Sequence, residues 1–113
     1  MNPVSAILIC ERDTLFREAL RNFLLAAGYS QVEVVATVRE ALARLRHERY
    51  GCILIGISRP LSHKQRLAAL ARQRQPAARV LFLVSADDQS FISDTSFDYV
   101  LKEYVFSNLL ELI

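Results

Sequence analysis

The sequence predicts a doubly wound α/β domain, a single sheet of five parallel strands flanked by helices. Three observations carry that expectation. Short apolar runs alternate with longer stretches of helical periodicity along the whole 113-residue chain. Each connection between successive runs is too long for a hairpin, so the strands join by crossovers and form right-handed βαβ units. A composition of 52% hydrophobic and 23% charged residues fits one ordered domain with a sizeable core.

Residues 6–10, Ala-Ile-Leu-Ile-Cys, form a continuous apolar run suited to a strand covered on both faces. Leu15, Phe16, Ala19, Leu20, Phe23, Leu24 and Ala27 then recur at helical spacing, and Gly28 follows where a helix C-terminus favours a left-handed residue. Residues 32–36 give a second strand. Thr37 and Glu40 have capping-box spacing ahead of Ala41, Leu42 and Leu45, and that helix is expected to end near Tyr50 and Gly51. Residues 52–57 form the third strand. Ser62 to Gln65 repeat the capping-box spacing before Leu67, Leu70 and Ala71, and Pro76 stops the helix. Residues 80–85 and 99–101 are strands four and five, and Phe106, Leu109, Leu110 and Ile113 mark a last amphipathic helix. Between them, residues 86–97 hold few apolar side chains and leave room for at most two helical turns.

Several function classes are excluded or disfavoured. The longest apolar runs fall far short of the ~20 residues that cross a bilayer, and the first residues lack a signal peptide's basic and apolar regions. A cytoplasmic location is the expectation. Cys10 and Cys52 lie in strand-type runs, where a thiol acts as a small buried hydrophobe and a disulfide is not expected. His47 and His63 are far from each other and from either cysteine at any zinc spacing, and both read as solvent-facing helix residues, so no metal site is expected. A net charge of +2 is too small to indicate nucleic-acid binding by this domain. Its distribution is uneven, however: residues 57–79 hold six basic side chains and no acid, whereas residues 80–113 carry six acids against Lys102. A solvated basic helix face opposite an acidic edge accounts for this, with contact between complementary patches as the alternative. No nucleophile, base and orienting group converge at identifiable spacing, so there is no expectation of an enzyme, a catalytic residue or a cofactor.

In such sheets the loops at the carboxyl ends of the strands host the functional site. Here those loops contain Glu11 to Asp13, Gly56 to Pro60, Ser85 to Asp88, and Lys102 with Glu103. On these residues the chain resembles the receiver domain of bacterial response regulators in two-component signalling, from about Ala6 to Ile113. The resemblance implies a flavodoxin-like fold with strand order 2-1-3-4-5. It also implies roles by position. Glu11 matches the first of two acids that bind magnesium, but Arg12 stands at the second. Gly56, forty-five residues after Glu11, matches the phosphate-accepting aspartate, and Pro60 follows at the family's interval. Ser85 and Lys102 match the Ser/Thr and lysine that bind the phosphoryl group, and Tyr99 matches the switch aromatic. Glu103 replaces the proline that usually follows the lysine. The close spacing of Ser85 and Lys102 implies a shortened helix four.

A receiver fold with glycine at the acceptor position is expected to work in signal transduction without aspartyl phosphorylation. In this pseudo-receiver reading, residues 1–113 are one module of a larger protein. The module docks a protein partner or a second copy and controls an output domain outside this chain, DNA-binding and transcriptional by resemblance. Lys102 is expected to pair with Glu11 in place of the missing aspartate. Phe91, Ile92, Phe97, Tyr104 and Phe106 form the candidate interaction face, with burial in the core as the alternative. Two other readings stay open: modification at a non-standard site such as Asp13 or Ser58, and small-ligand binding on the same architecture. Gly56 has a possible backbone explanation as well, a positive φ or close approach by Lys102 or Arg12.

Overall fold

The computed structural model describes residues 6–58, 61–88 and 97–113. Strands β1 (Ile7–Cys10), β2 (Val32–Val35), β3 (Cys52–Gly56), β4 (Arg79–Val84) and β5 (Asp98–Leu101) alternate with helices α1 (Thr14–Ala26), α2 (Val38–His47) and α3 (Leu61–Arg74); α4 (Val105–Leu112) follows β5. All neighbouring strands pair parallel in the order β2-β1-β3-β4-β5. Each strand lies within one residue of its sequence-based bounds. Helical content between β4 and β5 is described only as a 3-10 turn at residues 86–88, so the expected shortening of helix four falls outside the described residues.

The apolar runs are continuous because the central strands are covered twice. Alternate residues serve opposite faces. Leu8, Cys10, Ile53, Ile55 and Phe82 pack against Ala41 and Leu45 of α2 and Leu67, Ala68 and Ala71 of α3. Ile7, Ile9, Cys52, Leu54, Leu81 and Leu83 pack against Leu20 and Leu24 of α1 and Val105 and Leu109 of α4. Both cysteines are free and buried. Burial pushes the Cys52 thiol up to about 12. It also raises the Cys10 thiol, against a smaller opposing pull from the Lys64 ammonium. These are packing residues.

Local signals hold where they rest on chemistry within one turn. Gly28 adopts φ 108°, with Gly28 N–H bonding the Leu25 carbonyl and Tyr29 N–H bonding the Leu24 carbonyl, the hydrogen-bond pair of a Schellman motif. At α2 the capping box is complete: Glu40 N–H donates to Thr37 Oγ1, and the Glu40 carboxylate accepts from Thr37 N–H. Hydrogen bonds from the Ala36 backbone, then from the Thr37 side chain, hold the Glu40 carboxyl below its ordinary value of 4.5. The folded value is depressed, so the contribution of this box is complete above 4.5 and is lost as pH falls through the folded value. Glu40→Gln is expected to remove that acid-side dependence, read from the Ala36 and Thr37 amide shifts across an acid titration.

Three sequence-based expectations are corrected. Helix α2 ends at His47 rather than near Tyr50, and Glu48 is already extended at φ −131°, ψ 152°. The cause is Gln75, only 5% exposed. Its amide donates to the carbonyls of Glu48 (2.7 Å) and Leu45 (3.3 Å), and its Oε1 accepts from Tyr50 N–H (2.8 Å). That grip holds residues 48–50 extended. Gln75→Ala is expected to cost about 2–3 kcal/mol in urea unfolding, because it orphans buried backbone groups. Second, α3 starts at Leu61, so Ser62 lies inside its first turn and is no cap. Third, Lys64 does not belong to a solvated basic face. It falls in the stripe Lys64, Leu67, Ala68 and Ala71 that α3 buries. The basic and acidic segments also meet within the chain, where Arg79 pairs with Asp98 at 3.1 Å. His47 and His63 are exposed helix residues, as expected.

Candidate functional site

Strand register assembles the site. Cys10 pairs with Ile55, so Glu11 and Gly56 come abreast at the carboxyl edge of neighbouring strands. Val84 pairs with Leu101, which brings Ser85 and Lys102 abreast in the same way. Glu11 N–H continues the ladder by donating to the Val35 carbonyl at 3.0 Å. Its side chain is nearly fully enclosed, at 4% exposure, and turns across the end of β3.

The space above Gly56 is filled by that carboxylate. A Cβ placed on Gly56 would overlap Glu11 Oε1 outright and lie 2.7 Å from Glu11 Cδ. The φ of Gly56 is not positive, since Gly28 alone has that conformation among the described residues. Glycine is thus required here for room, and the close neighbour is Glu11 rather than Lys102 or Arg12.

Lys102 Nζ stands 3.1 Å from Glu11 Oε1, which brings together the expected pair. The contact is an ion pair without hydrogen-bond alignment, so Oε1 is left buried with no hydrogen bond. Glu11 Oε2 accepts from Asp13 N–H at 2.9 Å. The lysine is also held from its other side, with Nζ 4.9 Å from the centre of the Phe16 ring. Desolvation offsets much of the Coulomb gain of such a pair, so its larger consequence is geometric: one occupant is fixed in the pocket.

The remaining residues divide. Ser85 Oγ donates to Asp88 Oδ2 at 3.0 Å while Asp88 N–H donates to the Ser85 carbonyl, so this hydroxyl closes its own loop. Glu103 accepts from Ala86 N–H at 3.2 Å and ties the β4 loop to the β5 loop. A carboxylate here takes up an amide donor at the pocket rim, where the resemblance had marked only a missing proline. Arg12 is exposed and makes no hydrogen bond or ion pair among the described residues. Tyr99 is 39% exposed on the edge strand β5. Asp13, a candidate for modification, spends Oδ1 on the N-cap of α1, accepting from Leu15 and Phe16 N–H. Ser58 is half-buried beyond β3.

A magnesium ion does not fit this donor set. Glu11 is the one buried carboxylate of the pocket, and its oxygens face an ammonium and a backbone N–H. Among the described residues no group of three His, Cys, Asp or Glu side chains could hold a metal. The sequence reading places Asp88 and Glu103 in the loops of the site but does not assign them as hydrogen-bond acceptors, and it does not anticipate the Phe16 ring beside Lys102.

The candidate interaction residues are not equivalent. Phe97 is half-buried, 5.4 Å from the Phe82 ring, and Arg72 lies over its other face at 3.8 Å, so it serves the core. Phe106 packs edge-on against Phe23 at 5.1 Å and Phe16 at 6.2 Å yet stays 44% exposed, and Tyr104 is 56% exposed. Phe91 and Ile92 lie outside the described residues.

Fold and site together define a doubly wound domain with Glu11, Gly56, Ser85 and Lys102 gathered at the carboxyl edge of β1, β3, β4 and β5. The chain belongs to the response regulator receiver domain family, whose model matches residues 7–113. Its class is that of a domain in signal transduction. Among solved structures, it is similar to a CheY-like response regulator receiver domain protein from Methanospirillum hungatei, at 26% identity and TM-score 0.79, covering 96% of this chain and 90% of that one. It resembles the Thermotoga maritima response regulator TrrA, solved in complex with Mg(2+)-BeF, at 24% identity and TM-score 0.79, over 95% of this chain and 94% of that one. It shares the fold of an adenylate cyclase structure from Rhodopirellula baltica at 19% identity and TM-score 0.73, covering 87% of this chain and 76% of that one. No curated protein sequence matches the chain closely enough to count as a relative. Among the described residues no helix is long and apolar enough to cross a membrane.

Proposed function

We propose that this receiver domain passes on its signal through protein contacts and without aspartyl phosphorylation. One observation carries the reading: the Glu11 carboxylate stands where a side chain at position 56 would begin, and it already pairs with Lys102. A phosphoryl group added at this edge would meet a carboxylate, not a free acceptor. Ser85 and the Ala86 amide, the other groups at the rim, are engaged by Asp88 and Glu103.

Incubation with acetyl phosphate and magnesium, followed by intact mass measurement, tests this. An unchanged mass is expected. A stoichiometric gain of one phosphate would overturn the reading, and its position would separate recovered pocket chemistry from modification at Asp13 or Ser58.

The contact surface is the exposed apolar ground at the start of α1 and along the turn into α4. Leu15 is 84% exposed, Tyr104 56%, and Phe106 and Leu110 44% each. It serves a second copy or a protein partner, through which the domain controls an attached output, transcriptional by family resemblance. Tyr104→Glu is expected to weaken that association in sedimentation while leaving the fold intact, because the ring is outside both cores.

A further inference from the structure

At the opposite edge of the sheet, where α2 and α3 both end, lies a cavity of about 310 Å³. Arg46, His47, Glu48, Arg49 and Arg74 line it above Gln75. Three arginines and one glutamate contribute to its lining, a formal excess of +2 before any charge on His47. Arg44 on the same helix pairs with Glu33 at 2.8 Å, and Arg79 pairs with Asp98 at 3.1 Å. Among the described residues Arg46, Arg49 and Arg74 make no ion pair or hydrogen bond.

Basic residues at a helix C-terminus have an ordinary reason, the partial negative charge of the last carbonyls. Here much of that charge is already met. The Arg44 carbonyl accepts from Glu48 N–H, and the Leu45 and Glu48 carbonyls accept from the Gln75 amide. The backbone carrying Arg46 to Arg49 is also held rigid, through Gln75 to Tyr50 N–H and through the Tyr50 hydroxyl to Glu33 at 2.7 Å. The backbone carrying these exposed arginines loses little freedom when an anion enters, and their guanidiniums supply forked donors.

We infer that this cavity binds a small ligand bearing two or more linked phosphates, held by Arg46, Arg49 and Arg74. Guanidiniums match phosphate oxygens two at a time, and a multiply charged anion relieves their mutual repulsion. The volume admits an inorganic di- or triphosphate, at the ~30 Å³ that one water occupies in the liquid. The inference is independent of the phosphorylation-free reading of the carboxyl edge.

Titration of the intact chain with inorganic pyrophosphate and tripolyphosphate, followed by amide NMR, tests it. Saturable shifts are expected at residues 45–50 and 74–76, in excess of those from sodium chloride at the same ionic strength. Arg49→Ser with Arg74→Ser is expected to weaken pyrophosphate at least tenfold, while Arg39→Ser on the outer face of α2 leaves it unchanged. ATP binding more tightly than tripolyphosphate assigns the ligand to the nucleotides; equal binding assigns it to free polyphosphate. Shifts no larger than with chloride, or unaffected by the double change in a variant that keeps its native spectrum, would overturn the site. Binding of duplex DNA with no response to pyrophosphate would overturn it too.

Discussion

Gly56→Asp alone is expected to destabilise the domain by about 3–5 kcal/mol, an amount set by forcing a second, uncompensated charge into a buried site. The first atom of the new side chain would overlap Glu11 Oε1, and its carboxylate would meet another 4% exposed carboxylate with one ammonium between them. Glu11 cannot simply swing out, because Oε2 is tied to Asp13 N–H and Oε1 to Lys102. Glu11→Ala in the same chain is expected to recover most of the loss, since it clears the space and gives Lys102 a carboxylate partner at the end of β3. Urea unfolding of the four species measures this. Coupling of ~2 kcal/mol or more is expected for groups in such contact. Additive losses would mean that the two positions do not share one space.

Phe82→Ala is expected to cost about 3–5 kcal/mol and to lower the midpoint of thermal unfolding by on the order of 15 °C. Phe82 is 0% exposed in β4, flanked by Ile55 of β3 and Tyr99 of β5. It packs on the α2–α3 face of the sheet and against Phe97. Truncation leaves a cavity that strands fixed on both sides cannot close. Loss of the Phe97 contact also loosens the segment entering β5, so near-ultraviolet dichroism is expected to fall along with stability. A loss under ~1 kcal/mol would mean that this site collapses freely.

The parts of this structure legible in the sequence are those whose cause is local or periodic. Five strands were found because buried parallel strands are continuous apolar runs. The Thr37–Glu40 box and Gly28 were found because caps depend on residues within one turn. The Lys102–Glu11 pair was reachable too, since strand order places both at one edge and glycine left the lysine without its usual partner. What escaped depends on side chains reaching across the fold. Gln75 ends α2 from 27 residues away in sequence, through Glu48, and no periodicity encodes that. Lys64 reads as a surface cation in sequence because its charge outweighs its position in the buried stripe of α3. The reason for Gly56 was open between backbone and space. It was settled only by the register that sets Glu11 beside it. Glu103 stood out as a departure from a pattern, but its bond to Ala86 could be seen only in three dimensions.

The central claim is that the receiver pocket is already occupied by the chain's own Glu11 carboxylate. Amide spectra recorded with and without millimolar magnesium and beryllofluoride test it most directly, because that pair reports an available aspartate and metal site without covalent chemistry. The expected result is no saturable change at Glu11, Gly56, Ser85 or Lys102. Saturable, magnesium-dependent shifts centred on those four residues would contradict it.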